Sequence, residues 1–342
     1  MDKKRTKEFF NLNKNLDALI LKTGDAAHSM DPNFFYFLGL EIDNAMLLIR
    51  RDDEPKLFVA EMSFEYAKNE TKILVEKFKG SEIWREIKEE VKKCKRVGIN
   101  KDCLSAADFE IMNKKIRKIA DVSERLKGQR AIKDEDEIDS IRKATKLARE
   151  IAKEFKVREG KSELQIANEL QKEILDRDSE VSFKPIVLSD RNSRFPHGRP
   201  TSKRVRKGDI VLIDFGTKVG NYCSDITRCF FIGKSRVEQT IAYDKMNEIF
   251  KTVMGSVKIG MPAKEISKLA EEEFGEQLGY KPIHSIGHGI GLEVHEFPLL
   301  KRSSKHILKR NMVFTIEPGF YGENFGVRYE EVVFLSNRAF LI

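Results

Sequence analysis

The sequence is poor in cysteine and has no long apolar segment. Its four cysteines are spread over 342 residues without CxxC spacing, which is too few for a disulfide framework. No apolar run approaches the ~18–20 residues that a membrane span requires, and the first residues lead into a polar stretch rather than the apolar core of a secretion signal. These absences predict a cytoplasmic protein that makes no contact with a membrane.

The sequence also lacks a concentrated basic region, although its net charge is +8. Residues 1–130 contain 27 basic and 23 acidic residues, and residues 131–342 contain 36 and 32. Proteins that bind nucleic acid usually carry their excess charge in a patch or an arm. The even distribution therefore favours no nucleic-acid partner. A length of 342 residues is typical of two domains.

The first third of the chain alternates between strand and helix patterns, which is typical of an α/β domain. Short apolar runs predict strands, and longer stretches with apolar residues at helical spacing predict helices. The predicted strands are 16–22, 33–40, 45–49, 57–60 and 96–100, and the predicted helices are 63–78, 81–94 and 106–120. A new section begins near Gly128, so we expect a first domain of residues 1–128 and a second of residues 129–342.

The second domain shows one order of elements twice. Helical patterns at 134–155 and 163–175 are followed by glycine-rich strands, and helical patterns at 240–257 and 263–278 are again followed by strands. This order predicts two similar halves.

Two pairs of carboxylates stand out in these halves. Asp214 ends an apolar strand, and Asp225 follows eleven residues later across a turn-rich segment. A hairpin centred on Val219 and Gly220 places the two carboxylates opposite each other, with Cβ atoms about 4.5–5.5 Å apart. Such a pair requires protonation or bound cations, unless both acids are simply solvated at a hairpin edge.

Glu317 and Glu330 repeat this arrangement, because a hairpin with its turn midway between them makes them opposite. Pro318 has no N–H to donate to a sheet, so this strand is expected to end or bulge there. Glu331 has the other parity along its strand and is expected to face away from the pair.

Between the pairs lies a segment rich in histidine and glycine, residues 284–296, in which glycines flank His288. By itself, this segment could be a glycine-rich turn whose histidines are hydrogen-bonded. Beside two aspartates and two glutamates, His288 completes a ligand set that suits Mn²⁺, Fe²⁺, Co²⁺ or Zn²⁺. Four carboxylates almost neutralise two divalent cations, so these residues favour a two-metal hydrolase.

The order of these residues resembles that of the pita-bread metallopeptidases of family M24, which include methionine aminopeptidase, Xaa-Pro aminopeptidase, prolidase and creatinase. Six strings carry the resemblance: FPHGRP (195–200), KGDIVLIDFG (207–216), SDITR (224–228), GHGIGLEVHE (287–296), TIEPG (315–319) and GVRYEE (326–331). The string DPNFFYFLG (31–39) is similar to one in the creatinase-like N-terminal α/β domain of the family. The resemblance implies such a domain followed by a pseudo-symmetric pita-bread catalytic domain, an α/β (α+β) architecture.

The resemblance also implies a role for each site residue. Two divalent metal ions per subunit, Mn²⁺ or Co²⁺ ahead of Zn²⁺ or Fe²⁺, are implied to bind Asp214, Asp225, His288, Glu317 and Glu330. In the family a metal-bridging hydroxide attacks the peptide carbonyl, and Glu317 is implied to be the catalytic proton shuttle. Contacts with the substrate are implied for His197, His288, His295 and Arg328, with His197 and His295 as catalytic hydrogen-bond donors.

The N-terminal domain favours the proline-directed branch of the family, Xaa-Pro dipeptidase or Xaa-Pro aminopeptidase. The expected substrate is a peptide with proline at its second position, and the expected assembly is a homodimer. Alternatives are methionine aminopeptidase, a creatinase-like amidinohydrolase, and a non-catalytic binding module, although such modules typically lack the metal ligands. Cys223 and Cys229 share the parity of Asp225, which would place them on the metal side, but burial as small apolar groups is the favoured interpretation of both.

Overall fold

The computed structural model describes residues 1–24, 31–116 and 118–342, which form two compact units. The first unit is Met1–Gln129 and the second is Arg130–Ile342. The division lies one residue beyond the expected boundary at Gly128. No helix in the described parts of the chain is both long and apolar enough to span a membrane.

The first unit is built on a mixed six-stranded sheet. Its strands are β1 (Ala18–Lys22), β2 (Ala45–Arg50), β3 (Lys56–Ala60), β4 (Leu74–Phe78), β5 (Val97–Ile99) and β6 (Ile119–Asp121), in the order β4-β3-β2-β1-β5-β6. The helices are α1 (Lys3–Leu12), α2 (Pro32–Leu38), α3 (Phe64–Glu70), α4 (Ile83–Glu90), α5 (Ala106–Lys115) and α6 (Ser123–Arg130). Ile20, Met46 and Phe58 of the sheet pack against Trp84 and Ile87 of α4, and this apolar layer is the core of the unit.

The strand predicted at 33–40 is wrong, because this segment is helix α2. The Asp31 carboxylate accepts a hydrogen bond from the Asn33 N–H (2.9 Å), and Pro32 occupies the first turn, where a missing N–H costs nothing. Gly39 ends the helix in the left-handed conformation, with φ of 77°. These start and stop signals outweigh the aromatic composition that indicated a strand.

Two predicted helices are too long. The stretch 63–78 contains the short helix α3 and then β4, which pairs in parallel with β3 as an edge strand. The stretch 106–120 ends its helix at Lys115, and β6 follows. Lys118 takes a left-handed φ of 61°, a conformation that an α-helix cannot contain. In both cases the chain turns back to add a parallel strand, which helical spacing over a long window does not reveal.

The second unit confirms the predicted order of helix pairs and strands. Its helices are α7 (Glu135–Glu154), α8 (Glu163–Leu175), α9 (Val237–Ser256) and α10 (Ala263–Leu278). Its first-half strands are β7 (Glu180–Val181), β8 (Ile186–Ser189), β9 (Ile210–Phe215), β10 (Thr217–Val219), β11 (Tyr222–Cys223) and β12 (Ile226–Phe231). Its second-half strands are β13 (His288–Gly289), β14 (Glu296–Leu299), β15 (Met312–Ile316), β16 (Gly319–Tyr321), β17 (Gly326–Arg328), β18 (Glu331–Leu335) and β19 (Ala339–Leu341).

The two halves repeat one backbone plan. In the first half the N–H of Gly160 donates to Val205, and the N–H of Glu163 donates to Lys203. In the second half, 100 residues further on, the equivalent amides of Gly260 and Ala263 donate to Leu308 and His306. Each half also places antiparallel strands under its own helix pair, with β9 and β15 at the centres of the sheets. This is the pseudo-symmetric pita-bread architecture.

Buried apolar side chains fix the positions of the two central strands. Every residue of β9 and β15 is buried. Helices α7 and α8 cover the first sheet, and α9 and α10 cover the second, each through an apolar stripe. The carboxylates at the ends of β9 and β15 therefore lie on the faces of the sheets that the helices do not cover.

Candidate active site

The first carboxylate pair is not aligned as predicted. Asp214 lies opposite Thr227 rather than Asp225, because the hairpin turns at Gly220 and Asn221, both with positive φ (55° and 68°). A two-residue turn of this kind requires left-handed conformations that Val219 would resist. The shift is two residues, an even number, so Asp225 remains on the same face and lies diagonally across from Asp214.

The second pair is aligned as predicted. Ile316 pairs with Glu331 and Gly319 pairs with Arg328, so the same register places Glu317 opposite Glu330. The strand breaks at Pro318, as expected, between β15 and β16.

Glu331 turns away from the pair, also as expected. Its buried carboxylate accepts hydrogen bonds from Arg149 (2.6 Å) and from Arg228. The adjacent acids Glu330 and Glu331 therefore point to opposite faces of the sheet.

One cavity of about 490 Å³ brings all the predicted site residues together. Its wall contains His197, Asp214, Asp225, His288, His295, Glu317, Arg328 and Glu330. The remaining wall residues are Phe183, Ile186, Pro196, His284, Ser285, Val294, Leu299 and Lys301. His197 and His295 are exposed at the rim, whereas the carboxylates and His288 lie deeper. A volume of this size suits a small ligand such as a short peptide.

His288 presents a free nitrogen to the carboxylates. Its Nδ1 lies 3.1 Å from the carbonyl of Gly289 and donates to it, which leaves Nε2 as the unprotonated nitrogen. Nε2 lies 3.7 Å from both Asp225 and Glu317. Burial, and after it the charge of His295, lowers the pKa of His288 to about 3, so its ring is neutral at physiological pH. A neutral, oriented imidazole is the form that binds metal ions.

The carboxylates are held in a state that favours protonation when no cation is present. Burial, followed by the charges of the neighbouring carboxylates, raises the pKa of Asp225 and of Glu317 well above the usual range. The same two causes raise the pKa of Glu330 to about 8. These raised pKa values mean that a cation bound beside Asp225, Glu317 and Glu330 would stabilise their ionised forms.

The donor set fits divalent cations. One ligand atom each from Asp225, His288 and Glu330 lie within 4.8 Å of one another. Within the described ranges, the buried Oδ1 atoms of Asp214 and Asp225 have no hydrogen-bond donor. Buried carboxylate oxygens without donors are costly, and metal ions would satisfy them.

Arg328 binds one of the four acids directly. Its guanidinium donates to Asp214 (2.5 Å), and it also donates to the hydroxyls of Tyr321 (2.7 Å) and Thr227 (3.0 Å). The Thr227 hydroxyl in turn donates to Glu330 (2.7 Å). Arg328 therefore orients Glu330 only through Thr227.

Three residues of this network were not predicted as site residues. The Tyr321 hydroxyl donates to Nε2 of His284 (2.9 Å), whose Nδ1 lies 3.7 Å from Glu317. Thr227 shares the parity of Asp225, and His284 begins the histidine-rich segment, so both had a sequence signal. No sequence pattern indicates Tyr321.

The cysteines lie behind the site. Cys223 contacts the carbonyl of Leu292 and Cys229 that of Arg328, each at 3.7 Å. Neither is among the described residues that line the cavity. Burial raises the pKa of Cys223 to about 11 and that of Cys229 to about 12. The favoured interpretation of both as buried small apolar groups is confirmed, because each thiol packs against a backbone carbonyl.

The fold and the site define the class of a metallopeptidase, and comparison with known proteins gives the family. The profile of metallopeptidase family M24 matches residues 139–337, and that of the creatinase/prolidase N-terminal domain matches residues 12–132. The chain belongs to family M24, the pita-bread metallopeptidases that its motifs resemble.

Relatives of known name and structure agree with this assignment. A Xaa-Pro dipeptidase of Pyrococcus furiosus is 35% identical over 312 residues, which cover 89% of this chain and 88% of the relative. The solved P. furiosus prolidase is 33% identical, with a TM-score of 0.85 and 98% of each chain covered. The X-Pro aminopeptidase of Thermotoga maritima is 30% identical, with a TM-score of 0.89 and 98% and 97% covered.

Proposed function

We propose that the protein hydrolyses the bond between an N-terminal residue and proline, in dipeptides or at the start of longer peptides, with two bound divalent metal ions. The carrying observation is the cluster of four carboxylates and a neutral histidine in one cavity, with buried carboxylate oxygens that lack donors. The names of the relatives, Xaa-Pro dipeptidase and X-Pro aminopeptidase, support the proline-directed specificity.

The ligands proposed for the metal ions are Asp214, Asp225, His288, Glu317 and Glu330. Mn²⁺ or Co²⁺ is proposed, because the set is rich in oxygen and has no thiolate. Bound ions would lower the pKa of water and polarise the peptide carbonyl. Arg328 would hold the carboxylate of Asp214 in position for the ions through its hydrogen bond, and the Thr227 hydroxyl would hold that of Glu330.

The remaining roles follow from position in the cavity. Glu317 lies beside His288, with one oxygen 3.7 Å from its Nε2, and it is proposed to carry the proton from water to the departing proline nitrogen. His197 and His295, at the rim, are proposed to donate hydrogen bonds to the substrate and to the developing oxyanion. The ring centroid of His295 lies 4.3 Å from that of His288, so the proposed hydrogen-bond donor adjoins a proposed metal ligand.

The experiment that tests this function compares substrates after chelation and metal addition. Xaa-Pro dipeptides, Xaa-Pro tripeptides and Met-Ala peptides would be assayed with Mn²⁺, Co²⁺ or Zn²⁺. We expect metal-dependent cleavage before proline. Cleavage of Met-Ala peptides alone would favour a methionine aminopeptidase, and absence of cleavage together with absence of bound metal would favour the binding module.

A pair of variants tests the site itself. Asp225→Asn should lower kcat/KM by more than about 100-fold, because even partners that only support a metal ligand contribute 10–100-fold. Asp244→Asn, on the exposed side of α9, should not change activity. Circular dichroism shows whether both variants fold, and normal turnover in Asp225→Asn would contradict the site assignment.

The expected homodimer is also part of the proposal. Light scattering on the metal-loaded protein measures the assembly directly, and a monomer that retains full activity would remove the dimer from the mechanism.

A further inference from the structure

A buried carboxylate outside the proposed metal site, that of Glu163, holds the loop that carries His197. Glu163 is the first residue of α8, and its side chain is completely buried. Its Oε1 accepts hydrogen bonds from the N–H (2.7 Å) and the hydroxyl (2.8 Å) of Ser189. Its Oε2 accepts from the N–H (3.0 Å) and the hydroxyl (2.7 Å) of Thr201. The amide of Asn192 donates to both oxygens, each at 3.0 Å.

These donors enclose one loop. Ser189 ends β8, Thr201 lies at the far end of the loop, and Asn192 lies within it. We name residues 190–200 the rim loop, since it contains His197. The residues that flank the rim loop and one residue within it are therefore hydrogen-bonded to a single carboxylate, which restrains the loop.

The rim loop is also fixed on its other side. The Gly326 N–H donates to the Ser193 hydroxyl (2.8 Å), and a side chain at Gly326 would place its Cβ 2.2 Å from the Ser193 carbonyl. Arg328 donates to the carbonyl of Pro196 (3.4 Å). The ring of His197 itself has no hydrogen bond to any residue that the structure describes. Its place in the cavity is therefore set by the backbone of the rim loop.

The second half of the unit provides an internal comparison. Ala263 occupies the position equivalent to Glu163, with the same backbone hydrogen bond to the strand beside it. It is as fully buried as Glu163. The junction between helix and strand thus forms without a carboxylate. What Glu163 adds is specific to the half whose loop carries His197.

We propose that Glu163 is a positioning residue for His197: through Ser189, Asn192 and Thr201 it fixes the rim loop and thereby the imidazole that contacts the substrate. This inference rests on the proposed function, because the role of His197 belongs to it. Nothing in the proposal requires Glu163 to touch the substrate or the metal ions.

The decisive variant is Glu163→Gln, which keeps size and shape. One oxygen becomes an amide that donates, and it must then face the N–H of either Ser189 or Thr201, neither of which can turn into an acceptor. The rim loop would lose one anchor. We expect kcat/KM for an Xaa-Pro peptide to fall about 10-fold, as for other residues that orient a functional group. Glu169→Gln, at a half-buried acid of the same helix that pairs with Lys161 and does not contact the rim loop, is the matched control and should have no effect.

A double-mutant cycle separates positioning from a general structural role. In a His197→Ala background, Glu163→Gln should change kcat/KM by less than about twofold, because the group that it positions is already absent. The same 10-fold loss in both backgrounds would overturn the proposal. If Glu163→Gln fails to fold, Asn192→Ala, which removes one donor only, takes its place in the cycle with a smaller expected loss.

A measurement without turnover keeps this inference separate from the proposed function. The imidazole signals of His197 in an NMR spectrum, assigned from the His197→Ala variant, should shift or broaden in Glu163→Gln and not in Glu169→Gln. Unchanged signals would overturn the positioning role even in a fully active enzyme. A wild-type protein that cleaves no Xaa-Pro peptide would contradict the proposed function, while this spectrum would still decide whether Glu163 fixes His197.

Discussion

Lys133 and Glu296 form an ion pair of 2.7 Å in which the side chains are 0% and 2% exposed. The carboxylate also accepts the N–H of Glu293 (3.1 Å), and Arg130 lies 3.4 Å away. Burial opposes ionisation of Glu296, but the charges of Lys133 and Arg130 outweigh it and lower its pKa. Glu296 directly follows His295 in the chain. This buried cluster therefore fixes the backbone next to His295, the second histidine at the rim of the cavity.

Removing the Glu296 charge should destabilise the protein strongly. Glu296→Gln leaves the buried Lys133 without its carboxylate, whereas Arg130 keeps its ion pair with Glu293, and breaking a buried pair in this way costs about 3–5 kcal/mol. Urea denaturation at a fixed metal concentration measures the loss. Glu271→Gln, which breaks the more exposed pair with Arg302, is the control and should have a much smaller effect. Equal losses would show that the buried cluster contributes no more than a surface pair.

Metal binding should release protons at neutral pH. The pKa of Glu330 is raised to about 8 and those of Asp225 and Glu317 are raised as well, so the metal-free site holds protons that the ions must displace. Calorimetric titration with Mn²⁺ in buffers of different ionisation enthalpy counts them. The Glu330→Gln variant should release fewer protons when it binds Mn²⁺. A binding enthalpy that does not depend on the buffer would contradict the raised pKa values.

The metal-free protein should lose stability as pH rises from about 7 to 8, above the range in which the unfolded chain protonates histidines that stay neutral in the folded state. Over this range folded Glu330 keeps a proton that the unfolded chain has already lost, so the folded state binds more protons and its free energy of unfolding falls. Urea denaturation in the presence of a chelator measures the slope. Glu330→Gln should flatten it, and a stability that rises with pH would reverse the sign predicted here.

Lys301 should favour dipeptides over longer peptides. Its exposed side chain lines the cavity, and no acidic partner for it occurs in the described chain, so its ammonium group can receive the carboxylate that follows proline in a dipeptide. Lys301→Met should raise KM for a free Xaa-Pro dipeptide about 10-fold, the value of one charged hydrogen bond, and should leave the amidated dipeptide unchanged. Lys305→Met, exposed and outside the cavity wall, is the control. Equal KM changes for both substrates would exclude this role.

Cys223 should be unimportant for redox sensitivity. Its thiol is buried, and burial raises its pKa to about 11, so almost none of it is the reactive thiolate at neutral pH. Wild type and Cys223→Ser should lose activity equally, or not at all, when treated with a thiol reagent. Protection by the serine would show instead that this thiol reaches the site.

Local patterns predicted part of the site well. Alternation along β15 to β18 placed Glu317 opposite Glu330 correctly, because a hairpin fixes every pair once its turn is known. The register at Asp214 was wrong by two residues, since the choice between two adjacent turn positions depends on which residues accept positive φ. Asn221 beside Gly220 carried that signal.

Contacts between distant segments could not be predicted. The hydrogen bonds from Arg328 to Asp214 and from Thr201 to Glu163 join residues 114 and 38 positions apart. No periodicity specifies such pairs, because they depend on how sheets and loops pack. The helices 163–175 and 263–278 were predicted at their observed bounds. The aromatic segment 33–40 was predicted as a strand from its composition, although Asp31 and Pro32 marked the start of a helix.

The repeated plan of the catalytic unit divides the four acids of the proposed metal site equally. Asp214 and Asp225 belong to the first half, Glu317 and Glu330 to the second, and the connection between the halves passes through Gly233 and Lys234 at the surface. A chain opened at that connection would give two fragments, each with its own apolar core and only two of the four acids. Recovery of hydrolysis on mixing would then report that the two fragments reassemble into one site.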